Sequence, residues 1–159
     1  MRYLLIDRVD YLVPEKHIRA VKCVTLAEDV FSEHFFGYPV VPGALMIESL
    51  AQAGTALLEY SCHFAKKALL VMVDRAKFRE LVRPGDQLQI EADIISLTEQ
   101  SAKLEGVIRV GKNIVMDGTL IFVLKDADQY YPEKSRHLME TIYDIWLQDT
   151  KIIQHTGGE

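Results

Sequence analysis

The sequence predicts an α+β fold, an antiparallel sheet laid against one long buried helix, on three observations. Residues 42–63 form a helix that is apolar around almost its whole circumference, so other parts of the chain must surround it. Residues 68–124 then alternate with a period of two in segments broken by turn residues, the pattern of consecutive antiparallel strands. A helix with a single apolar face follows residue 132. Helix and strands that come in separate blocks indicate α+β layers.

At 159 residues the chain is long enough to bury a core as one domain. It is 49% hydrophobic and 26% charged, with a net charge of -5, which gives no reason to expect nucleic acid or an anionic membrane as partner. Cys23 and Cys62 fit no metal-ligand or redox spacing. With no signal peptide and no run long enough to span a bilayer, the expectation is a cytoplasmic protein with free thiols and no metal.

In chain order, residues 3–12 read as a first strand, Val13 to Lys16 as a turn, and residues 17–26 as the returning strand. Residues 27–43 form a long loop with two glycines and two prolines, and loops of this length are often functional. The helix starts near Pro42, whose fixed φ suits a first turn. Its polar exceptions Glu48, Gln52, Thr55 and Glu59 fall on one narrow stripe. Strands follow at 68–79, 86–97, 101–110 and 113–124, with a hairpin turn at Gly111. Glu133 to about Ile153 reads as the last helix, with Leu138, Ile142, Ile145 and Trp146 on its apolar face, and the tail from Gln154 as frayed.

Residues 34–59 carry the chemistry. His34 sits in the Gly/Pro-rich loop, and an imidazole can take or give a proton near neutrality. Glu48 lies between densely apolar flanks, where desolvation would raise a carboxyl's pKa and favour its acid form. On spacing alone its stripe reads equally as the wet face of the helix. Gln52, one turn on, is placed to orient it. The helix start at Pro42-Gly43-Ala44 offers main-chain N–H groups that could hold an enolate oxygen. A base, an acid and an oxyanion-holding helix end suit removal of an α proton with loss of a β-hydroxyl, or the reverse.

The run His34-Phe35-Phe36-Gly37, then Pro39 to Gly43, Leu45, Glu48 and Ala51-Gln52-Ala53, resembles the active-site segment of the β-hydroxyacyl-(acyl-carrier-protein) dehydratases of fatty acid synthesis. The likeness extends to Leu4–Val9, Ala20–Thr25, Lys77–Arg79, Val82–Asp86 and Gly118–Leu120, and so covers roughly residues 3–124. It implies a hotdog fold over residues 1–125, with 126–159 as a C-terminal extension of the same domain. It also implies a homodimer, possibly a trimer of dimers, in which His34 takes the α proton and Glu48 of the partner subunit handles the hydroxyl. Gly43, Ala44, Phe35 and Gly37 would contact substrate, with Gln52 behind Glu48. No cofactor is implied, because the acyl chain arrives on the phosphopantetheine of an acyl carrier protein.

Departures from that family's pattern are informative. Phe36 stands where the dehydratases have proline, Glu48 argues against the isomerising branch with aspartate there, and no leading segment precedes the first strand. Residues 66–86 hold six cations against three anions, and carrier docking is expected at Lys77, Arg79 and Arg83. Alternative readings are an enoyl-CoA hydratase or a thioesterase on the same fold, or a non-catalytic binder of acyl chains or carriers.

Overall fold

The computed structural model describes residues 4–130 and 133–154, the side chains of 133–136 excepted. Helix α1 (Gly43–Ser61) lies across a seven-stranded sheet of order β3-β6-β5-β4-β2-β1-β7, counted among the described residues. The strands are β1 (Arg8–Val13), β2 (His17–Cys23), β3 (Lys66–Phe78), β4 (Gln87–Leu97), β5 (Ser101–Val110), β6 (Asn113–Asp126) and β7 (Lys151–Ile152). Pairing is antiparallel except between β1 and β7. This is the hotdog arrangement that the sequence implied. No helix among the described residues is long and apolar enough to cross a membrane.

The core follows the alternation. Leu88, Ile90 and Ala92 of β4 turn inward, as do Leu104 and Ile108 of β5 and Leu120 and Phe122 of β6. They meet Leu50, Ala53, Leu57 and Leu58 of α1, all buried. Close approach needs a missing side chain at Gly106: a Cβ there would collide with Leu50 Cδ1 and lie 2.8 Å from the Glu91 carbonyl oxygen. The sheet thereby admits α1 to backbone distance.

Several boundaries differ from the sequence reading. The first strand covers residues 8–13 instead of 3–12, residue 3 lying outside the described part. The second strand stops at Cys23, where Val24 N–H turns to the Asp86 carbonyl. Helix α1 takes Pro42 as its cap and begins at Gly43.

The largest difference is at the C-terminus. Helix α2 (Glu133–Leu147) ends six residues short of Ile153, and Lys151–Ile152 pair with Tyr11–Leu12. The cause is Thr150, whose hydroxyl donates to the Val9 carbonyl at 2.7 Å and draws the chain onto β1. The expected frayed tail falls largely at 155–159, outside the described residues.

Helix α2 packs on the body of its own chain. Ile142, Tyr143 and Trp146 are buried in the core cluster, each worth roughly 1.5–3 kcal/mol of apolar burial. The Trp146 indole N–H donates to the Ile6 carbonyl at 3.0 Å. Leu138 and Ile145, expected on the apolar face, are exposed.

Candidate active site

His34 follows a short 3-10 turn (Asp29–Ser32) whose Phe31 is buried against the core. Main-chain bonds fix the residue on both sides, His34 N–H to the Val30 carbonyl and Val40 N–H to the His34 carbonyl, each at 3.1 Å. The ring is fixed as well, with Nδ1 3.0 Å from the Val40 carbonyl oxygen. A carbonyl can only accept, so Nδ1 carries the proton and Nε2 presents a lone pair. The Phe35 ring stacks on the imidazole at 4.2 Å between centroids. The sequence reading gave Val40 no role of its own, because it acts through its main chain.

Loop and helix start are held to the segment after β3. Val41 N–H donates to the Val82 carbonyl at 2.8 Å, and the Arg83 guanidinium lies 4.7 Å from the Tyr38 ring centroid, within cation–π range. At the helix start no side chain caps the first turn, which leaves Gly43 and Ala44 N–H groups for a ligand. The Phe78 ring covers Gly43 so closely that a Cβ there would stand 2.9 Å from two of its carbons. Phe78 is a contact that the sequence reading missed. Gly37 turns the loop with φ at 76°.

Glu48 is half-buried one and a half turns into α1. Gln52 Nε2 donates to Glu48 Oε1 at 3.0 Å, and Gln52 Oε1 accepts from Leu5 N–H at 2.9 Å. The N-terminal segment thus fixes Gln52, and Gln52 holds the carboxylate. The stripe is no wet face: Glu59 is 3% exposed, and Glu48, Gln52 and Thr55 line a cavity of about 360 Å³ that α2 walls. His34 lies outside that wall. Within one protomer, His34 and Glu48 are held by different groups and form no hydrogen bond to each other among the described residues.

The three expected docking cations have different surroundings. Arg79 is engaged, its Nε donating to Asp117 Oδ2 at 2.6 Å, and Arg75 approaches the same carboxylate at 3.0 Å. Lys77 is exposed and forms no ion pair among the described residues. Arg83 is exposed beside the His34 loop. Lys66 and Lys67 are paired with Asp126 and Glu59, so most of the segment's excess charge is neutralised locally. No group of three or more potential metal-ligating side chains converges among the described residues.

Comparison with known proteins decides the family. The FabA-like domain model matches residues 1–125. The chain belongs to the β-hydroxyacyl-(acyl-carrier-protein) dehydratase family. It is 40% identical over 124 residues to the 3-hydroxyacyl-(acyl-carrier-protein) dehydratase FabZ of Halalkalibacterium halodurans, covering 77% of this chain and 89% of that one. With the FabZ of Pediococcus pentosaceus it shares 42% identity over 127 residues, 79% of this chain and 85% of the relative. Among solved structures it resembles the dehydratase heterocomplex ApeI:P of Xenorhabdus doucetiae, with a TM-score of 0.63, 18% identity, and coverage of 88% of this chain and 90% of that one. A Streptococcus mutans protein bound to acetyl CoA gives 0.61 at 12% identity, over 75% and 88% of the two chains. At those identities the likeness concerns the fold. The FabA-like domain model ends at residue 125, before α2.

Proposed function

We propose that this protein dehydrates (3R)-hydroxyacyl thioesters carried on acyl carrier protein to trans-2-enoyl thioesters, as a homodimer with composite sites. The observation that carries the mechanism is the tautomer of His34. With Nδ1–H committed to the Val40 carbonyl at 3.0 Å, Nε2 is the base that takes the α proton. The electron pair moves into the thioester as an enolate, whose oxygen the Gly43 N–H holds at the start of α1. The bond from the β carbon to its hydroxyl then breaks as Glu48, in its acid form, delivers a proton, and water leaves. Phe35, Gly37 and Ala44 shape the surroundings of the thioester.

The dimer reading rests on two features. His34 and Glu48 do not meet within one protomer, so the acid comes from the partner subunit. Strand β3 is an edge strand with Leu70, Val71, Met72 and Val73 exposed, a row that invites another strand. Phe36, 96% exposed on the His34 loop, adds apolar surface for such a partner. The reaction needs no cofactor in this reading, since the phosphopantetheine arm comes with the substrate, and Lys77 and Arg83 receive the acidic carrier with Arg79 beside them.

The test supplies 3-hydroxyacyl and trans-2-enoyl thioesters, on carrier and on CoA, to wild type, His34→Ala and Glu48→Gln. Wild type interconverts the two, and each variant loses more than about a hundredfold in kcat. Mixing the two variants restores part of the activity, because mixed dimers contain one intact pair. Hydrolysis to the free acid would replace this reading with a thioesterase, and binding without turnover would replace it with a carrier or acyl-chain binder.

A further inference from the structure

The cavity that Glu48 lines has one wall that the FabA-like domain model does not include. Leu4 and Leu70 bound it on the body side, and Met139, Ile142 and Trp146 of α2 close it. Its volume of about 360 Å³ is in the range of small-ligand sites. Apart from Glu48, Gln52, Thr55 and Lys67 its boundary is mainly apolar. We infer that α2 forms the end wall of the acyl-chain pocket and sets the chain length the enzyme accepts.

The inference rests on the proposed dehydration, which puts the substrate's β carbon at Glu48. From there the chain continues toward apolar surface, and the cavity that Glu48 itself lines provides it. The wall is fixed rather than swinging. Trp146 is bonded to the Ile6 carbonyl at 3.0 Å, Tyr143 to Glu59 at 2.6 Å, and Thr150 to the Val9 carbonyl at 2.7 Å. A wall pinned at three points rejects a chain that is too long by overpacking. Met139, at the side shared with a second cavity of about 610 Å³ between α2 and the end of α1, is where the pocket can be lengthened with least damage.

The experiment measures kcat/KM on a series of 3-hydroxyacyl thioesters from four to sixteen carbons. Wild type, Met139→Ala, Ile142→Ala, Met139→Trp and the outward-facing control Ile145→Ala are compared, each checked for folding by circular dichroism. The long-to-short ratio of kcat/KM rises about tenfold in Met139→Ala and Ile142→Ala and falls about tenfold in Met139→Trp, as expected for one or two methylenes of pocket depth. Ile145→Ala leaves the ratio where it was. If Ile142→Ala does not fold, the opposed Met139 pair still reads the wall. An unchanged ratio in both Met139 variants, or the same shift in Ile145→Ala, overturns the inference. Failure of wild type to dehydrate even the four-carbon substrate overturns the proposed function instead.

Discussion

The Tyr143 hydroxyl donates to Glu59 Oε2 at 2.6 Å, tying the last helix to the end of the first. The same carboxylate receives Lys67 Nζ at 2.6 Å and the Ala68 N–H at 3.2 Å on its other oxygen. Glu59 belongs to the polar stripe that begins at Glu48, yet the two have separate tasks. Glu59 is buried and saturated with donors, which is how a structural carboxylate is retained in a core. Glu48 has one neighbouring amide and a cavity in front of it.

Glu59→Ala should therefore destabilise the fold without touching the chemistry directly. Removing one member of a buried, hydrogen-bonded pair costs roughly 3 kcal/mol. Tyr143→Phe removes the hydrogen bond to this carboxylate, about 1.5 kcal/mol. Urea unfolding followed by circular dichroism should give a lower midpoint in that order, with the slope unchanged. Equal midpoints for the two variants would mean that the carboxylate's other contacts contribute little.

Gln52 is a positioning residue in this reading. Its carbonyl is held by Leu5 N–H and its amide holds Glu48. Gln52→Leu should lower kcat about tenfold while KM stays within about twofold, since a misplaced acid weakens the transition state and not the bound substrate. Gln52→Asn, one methylene short, should behave like the leucine variant. A rise in KM with kcat intact would assign Gln52 to substrate binding.

The two cysteines should differ in reactivity. Cys23 is exposed, while Cys62 is half-buried at the C-cap of α1, where burial pushes its thiol up from the ordinary range. A raised thiol holds less thiolate at a given pH, and the thiolate is the nucleophile. Iodoacetamide at pH 8 should label Cys23 first, and raising the pH should speed Cys62 labelling until the two rates approach each other. Peptide mass spectrometry over time reads both sites. Faster labelling of Cys62 at pH 8 would show that α1 opens at its end.

Much of the architecture was legible because alternation and helical periodicity report burial directly. The inward set Leu88, Ile90 and Ala92 was written in the sequence, and so was the wrapped helix. His34, Gly43, Glu48 and Gln52 were legible as a spaced group. What escaped were contacts made by main-chain atoms or across long separations. The Val40 carbonyl that fixes the His34 tautomer carries no residue-type signal. Phe78 over Gly43 depends on how β3 ends beside α1. The end of α2 was misplaced because apolar spacing continues through Ile152 and Ile153, while the Thr150 bond to β1 joins residues 141 positions apart. The net charge of 66–86 overstated the docking surface, because Asp117, Asp126 and Glu59 neutralise it from elsewhere in the chain.

That neutralisation sharpens the prediction for carrier docking. Lys77 is exposed, and Arg83 lies against Tyr38 on the loop that holds His34, so a carrier bound there would deliver its thioester close to His34. Arg79 is already shared with Asp117. Lys77→Glu and Arg83→Glu should each raise KM for carrier-linked substrate about tenfold, an effect that shrinks as salt screens the surface charges. Arg79→Glu should also destabilise the fold, since it sets a carboxylate against the buried Asp117. Turnover of a short CoA or pantetheine thioester should be unchanged in Lys77→Glu. In Arg83→Glu it should fall modestly, through loss of the Tyr38 contact. Equal losses on carrier-linked and free thioesters in Lys77→Glu would remove this face as the docking surface.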